Sequence, residues 1–170
     1  MGREDQILAE RKRKLHELRK ITNPYPYKFD VKNYSQYIKD KYKKIKENII
    51  TNDKVIVAGR VMTIRDLGKL IFITIQDYQG RLQLILQRQK TVEEDFIIFK
   101  KYIDSGDFVG AKGVVMKTKT GEISVLVKNI QVLSKSLLPL PEKWHGLQNE
   151  EDRYRKRYVD LIINPGVKEV

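Results

Sequence analysis

Cysteine is absent from this 170-residue chain, which removes disulfides, thiolate metal sites and cysteine nucleophiles at once. Histidine is nearly absent too. His16 and His145 lie too far apart in sequence to suggest a ligand pair, so a metal site would have to be built from carboxylates alone, and no carboxylate cluster suggests one. No serine stands in a nucleophile-elbow pattern, and the acidic residues are scattered rather than paired on inward strand ends. Residues 106–113 (GDFVGAKG) contain glycines without the spacing or strand-to-helix setting of a phosphate loop, and read as a strand. The sequence therefore nominates no catalytic residue, no metal site and no bound cofactor. It also lacks a secretory signal and any apolar run long enough to cross a bilayer, residues 3–20 being charged throughout. A cytoplasmic protein with no membrane partner is the expectation.

What the chain has in excess is positive charge. Its net charge of +12 is unevenly spread: residues 1–53 and 54–136 each carry 14 basic and 8 acidic residues, while residues 137–170 carry 6 of each. A basic body suits a polyanionic partner, and a neutral tail suits something else. With 41% hydrophobic residues the chain can fill one good core with helical appendages. The division expected is a helical region at 1–53, a compact domain at 54–136 and a tail at 137–170.

Residues 3–21 read as a helix with a narrow stripe of Leu8, Leu15 and Leu18. Arg11, Lys12, Arg13 and Lys14 ring it, a solvated face that also suits phosphates, and Asn23 and Pro24 stop it. The prolines of NPYPYKF (23–29) make that stretch an extended connector whose aromatics can pack on a neighbouring surface. A second amphipathic helix is expected from Ser35 as N-cap, with Tyr34, Ile38, Tyr42, Ile45 and Ile49 at helical spacing. Strands follow at 54–65, with Gly59 suiting a sharp bend, then at 69–76 and 81–87, with Arg65 in the loop between the first two. Thr91 and Glu94 match a capping box for a short helix burying Val92, Phe96, Phe99 and Ile103. Strands at 107–116 and 122–127 flank the turn KTKTG. Three strands, a helix and two strands form the order of a five-stranded Greek-key OB-fold barrel, here preceded by two helices and followed by a hinge and a further helix. Such a barrel binds oligonucleotides on the face of its second and third strands.

Alternation on those two strands divides them cleanly. Ile71, Ile73, Ile75, Leu82, Leu84 and Leu86 point inward, which leaves Phe72, Arg81, Gln83 and Ile85 outward. An aromatic sharing a wet face with glutamine and arginine is a candidate base-stacking platform. Glu122 and Ser124 are likewise expected to face out.

The chain resembles the amino-terminal, anticodon-binding part of class II lysyl-tRNA synthetases. The motifs that carry the resemblance are RKRKLHELR, NPYPYKF, VAGRVMTIRDLGKLIFITIQDYQGRLQL, KTKTGEIS and LPLPEKWHGLQNEEDRYRKRYVDLI. The OB portion alone is shared with aspartyl and asparaginyl synthetases, whereas the last segment is specific. The resemblance implies that residues 137–141 are a hinge, that a helix beginning near Asn149 opens a catalytic domain, and that the chain stops before the motifs that bind ATP and activate the amino acid. It further implies that Phe72 stacks on the central anticodon base, that Gln83 hydrogen-bonds its edge, that Arg65 contacts the same uridine, and that Glu122 lies near a flanking base. Arg11, Lys12 and Lys14 are candidates for the tRNA backbone. The implied partner is the anticodon loop of the tRNA for lysine, and the parent enzyme would be a homodimer using ATP and magnesium, with this chain inactive by itself. The rival expectations are a free-standing single-strand binder with no base preference and a truncated synthetase serving as an assembly module.

Overall fold

A computed structural model describes residues 2–139 and 154–163. Five strands, β1 (Ile49–Asp66), β2 (Leu70–Gln76), β3 (Arg81–Gln87), β4 (Phe108–Lys117) and β5 (Ile123–Ser134), close into a barrel in the order β1-β2-β3-β5-β4. All neighbours are antiparallel except β3 and β5, which run parallel. This is the expected OB-fold barrel. Its inside is filled by the expected alternation: Ile71, Ile73, Ile75, Leu82, Leu84 and Leu86 are all buried, joined by Val57, Val61, Val109, Val115 and Val125. Burying such side chains contributes about 1.5–3 kcal/mol each, so the register of β2 and β3 is strongly fixed, because a one-residue slip would turn every isoleucine to water. Gly59 permits the tight β1–β2 crossing, since a Cβ there would sit 2.8 Å from the Gln76 carbonyl oxygen.

Three helices accompany the barrel in one compact unit covering residues 1–137. Helix α1 (Arg3–Arg19) buries Leu15 and Leu18. Helix α2 (Ser35–Tyr42) buries Ile38 and Tyr42, and ends sooner than expected, leaving Ile49 to open β1. Helix α3 (Glu93–Tyr102) plugs the barrel with Phe96, Phe99 and Tyr102. The connector packs as its aromatics suggested. Phe29 lies so close over Gly110 that a Cβ would meet its ring at 2.5 Å, and the Tyr25 hydroxyl donates to the Lys135 carbonyl at 3.2 Å.

Two expected caps are something else. Ser35 is not the N-cap of α2 but its first residue, and both its backbone N–H and its hydroxyl donate to Asp77, at 2.7 and 2.6 Å. A carboxylate from the β2–β3 turn thus does the capping across the fold. Thr91 likewise does not cap α3. Its buried hydroxyl donates to the Val127 carbonyl at 2.8 Å and accepts from the Gln87 N–H at 3.2 Å, tying the loop before α3 to β5, while Val92 takes the cap position and is exposed. In both places a tertiary partner outcompetes the local bond the sequence offered.

Residues 138–170 form a separate unit. Its described part holds helix α4 (Arg157–Ile163), with Asp160 buried and Arg157 pairing with it at 3.4 Å. Residues 140 and 141 of the expected hinge at 137–141 and the helix start near Asn149 lie outside the described residues.

Candidate nucleic-acid interface

Outside the barrel, strand register builds two parallel rows. In the first, Arg65 of β1 stands opposite Phe72 of β2, Phe72 opposite Ile85 of β3, and Ile85 opposite Leu126 of β5. In the second, Thr63, Thr74, Gln83 and Ser124 follow one another across the same strands. A bulge between Val61 and Thr63 sets this phase, keeping Thr63 and Arg65 on the outer side of a strand whose earlier half would otherwise place them in the core. Arg65 is therefore not a loop residue, as the sequence suggested, but a residue of β1 directly opposite Phe72.

All members of both rows except Ser124 line a groove of about 610 Å³, rimmed by Asn48, Lys90, Thr118, Lys119 and Thr120 from three loops; Ser124, expected to face out, is fully buried behind Gln83. Phe72 is half-buried there, with Ile85 and Leu126 covered beside it, so a planar apolar shelf adjoins a polar strip. The polar strip is oriented. The Ser124 hydroxyl lies 2.8 Å from Oε1 of Gln83 and 3.3 Å from the Glu122 carbonyl, and donation to the nearer acceptor leaves the Nε2 amino group of Gln83 to donate outward. A donor held in this way can donate to a base carbonyl such as O4 of a uracil-type ring and mismatches the amino group that cytosine presents at that place.

Arg65, Lys90 and Lys119 are exposed and have no carboxylate partner among the described residues. The acid next to Arg65 is already committed: Asp66 accepts the Gly68 N–H at 2.7 Å and pairs with Lys100 at 3.1 Å, which together hold its carboxyl below the usual range. Glu122 is exposed, as parity predicted, but does not line the groove. Its Oε1 pairs with Lys39 of α2 at 3.3 Å.

The basic helix is a different matter. Arg11 is buried, and its guanidinium donates to the carbonyls of Ser105 at 2.9 Å and Ser136 at 3.1 Å. Lys14 pairs with Asp104 at 2.6 Å in a partly buried setting. Both are thereby removed from the phosphate-contact candidates for a physical reason, their heads being engaged inside the fold. Lys12 remains exposed. Sequence reasoning missed Lys90, Lys119 and the anchoring role of Ser124. The first two lie in the loops that flank the open end of an OB barrel, which was a usable signal, whereas the Ser124 contact depends on the β3–β5 register.

The family of OB-fold nucleic acid binding domains, of the tRNA anticodon type, matches residues 55–133. That match runs from β1 to β5 and so takes in all five strands of the barrel. Over nearly its whole length the chain is also similar to curated lysine–tRNA ligases. It is 47% identical to that of Methanoculleus marisnigri, over 92% of this chain and 31% of the relative. It is 40% identical to that of Trichormus variabilis, over 98% and 31%, and 43% identical to that of Pelotomaculum thermopropionicum, over 99% and 33%. The chain thus spans about a third of the length of the curated relatives it matches.

Proposed function

We propose that the barrel binds the anticodon loop of the tRNA for lysine. Phe72 stacks on one base, the Nε2 group of Gln83 donates to that base's carbonyl, and Arg65 closes the row from the side. The observation that carries this reading is the orientation of Gln83: an amide fixed by Ser124 beside an aromatic shelf presents one donor at a fixed place. Glu122 keeps Oε2 for the amino group of a flanking base while Lys39 holds Oε1. Lys90 and Lys119 supply phosphate contacts from the loops, and Lys12 supplies one from α1.

The parent activity inferred from the relatives is ATP- and magnesium-dependent joining of lysine to its tRNA by a cytoplasmic homodimer, with this chain supplying recognition and no chemistry of its own. No helix among the described residues is long and apolar enough to cross a membrane. The reading is tested by Phe72→Ala. Binding of a uridine-bearing anticodon stem-loop is expected to weaken by about 1–3 kcal/mol, the worth of one base–aromatic stack, with the thermal transition preserved. Unchanged affinity would remove the stacking role, and loss of cooperative unfolding would make Phe72 part of the core.

A further inference from the structure

The row that contains Phe72 does not end at Leu126. Leu126 stands opposite Val114 of β4, and Val114 opposite Lys54 of β1, so one line of side chains runs from Arg65 across the barrel's outer face to a second cation. A second trough of about 430 Å³ opens along that continuation and shares Lys90 and Leu126 with the base groove. Its floor is apolar, and its rim carries Lys54, Lys112 and Lys128 besides Lys90. All four lysines are exposed, and none has a carboxylate partner among the described residues. Four unpaired ammonium groups around one trough repel one another and favour an anion between them.

We propose that this trough carries the RNA strand adjoining the base seated on Phe72, with Lys54, Lys112 and Lys128 holding its phosphates and the aliphatic floor bearing its riboses and bases. The inference rests on the anticodon-loop reading and extends it to the flanking nucleotides. An acidic peptide would satisfy the lysines equally well. Continuity of the trough with the stacking row favours a polymer that has both a charged backbone and flat apolar groups, and RNA has both.

The test is a triple substitution, Lys54→Gln, Lys112→Gln and Lys128→Gln, which leaves the groove residues intact and retains much of each apolar stem. Stem-loop binding to the full chain is measured across a salt series. The expected result is a loss of at least tenfold at low salt and a shallower log K versus log salt slope, by roughly 0.7 for each phosphate released. The ratio of affinities for matched and mismatched central bases should not move. A salt slope equal to that of the unsubstituted chain would overturn the proposal. Phe72→Ala separates the two ideas, because it reports on the base site alone: if it weakens binding while the triple variant leaves the slope unmoved, the trough fails and the anticodon reading stands. If instead a polyglutamate peptide binds the chain, is lost by the triple variant and leaves the RNA slope untouched, the trough is a site for an acidic protein.

Discussion

At one end of the β4–β5 hairpin Lys135 is fully buried, its ammonium 2.6 Å from Asp107 and 2.5 Å from Asp104, and Asp107 in turn accepts the Ser136 and Asp104 N–H groups at 2.8 Å each. At the other end Arg65, Lys90 and Lys119 stand in water around the groove without a carboxylate partner among the described residues. Both ends are basic, yet only one has its charges answered from within the chain. The cluster around Lys135 is a joint: Lys14 and Arg11 bring α1 onto it, and residues 135–136, where the chain leaves the barrel, are held by the same groups. Such a buried network holds α1 and residues 135–136 against the barrel. The groove keeps its cations solvated, where a polyanion can replace water and counterions.

The contrast can be broken at the joint with Lys135→Met, which leaves two carboxylates facing an apolar side chain. Removal of one partner from a buried pair costs about 3–5 kcal/mol, so a large drop in the denaturant midpoint is expected. The folded variant should still distinguish matched from mismatched stem-loops, because nothing in the groove has changed. Acid should loosen the same joint more gently. Burial pushes the Asp104 carboxyl up, but hydrogen bonds and charge from Lys135 and Lys14 outweigh it and hold the group below its ordinary value. The folded protein therefore binds that proton less readily than the unfolded chain, so the contribution is present above about pH 4 and fades as pH falls through the lowered value. Burial raises Asp107, which offsets part of the effect. Comparing the acid limb of the stability curve with that of Asp104→Asn isolates the contribution: the variant should lose less stability on acidification between about pH 5 and 2.

At the groove the expected effects are smaller and fall on binding rather than folding. Ser124→Ala releases Oε1 of Gln83 and lets the amide turn over, so preference for a central uridine over cytidine should shrink by about 0.5–1.5 kcal/mol, the net worth of one hydrogen bond. Matched and mismatched titrations of that variant measure it directly. An unchanged preference would mean that Gln83 is oriented by something other than Ser124.

The same contrast explains what the amino-acid sequence discloses. Period-two alternation is a local property enforced by burial, and by itself it puts Ile71 through Ile75, Phe72 and Gln83 on their proper faces. Partnering is not local. Nothing within Arg11–Lys14 announces that Ser105, Ser136 and Asp104 will close on two members of a basic run, or that Lys12 between them stays in water. Ser35 and Thr91 carry good cap signals that Asp77 and Val127 override, again from distant strands and turns. The sequence places Arg65 in a loop, but β1 runs on through it to Asp66, and the bulge that returns it to the outer face leaves no mark in the residue pattern.

Under the proposed function, the groove reads a base through the amide N–H that Gln83 presents beside Phe72. The most direct measurement of that readout is the affinity of the chain and of Gln83→Ala for two anticodon stem-loops that differ only in uridine or cytidine at the central position, at one fixed salt concentration. Gln83→Ala is expected to lose about 1–3 kcal/mol on the uridine loop and much less on the cytidine loop, so that the two affinities converge. Equal losses on both loops would contradict it, and would leave the groove a stacking surface with no preference among bases.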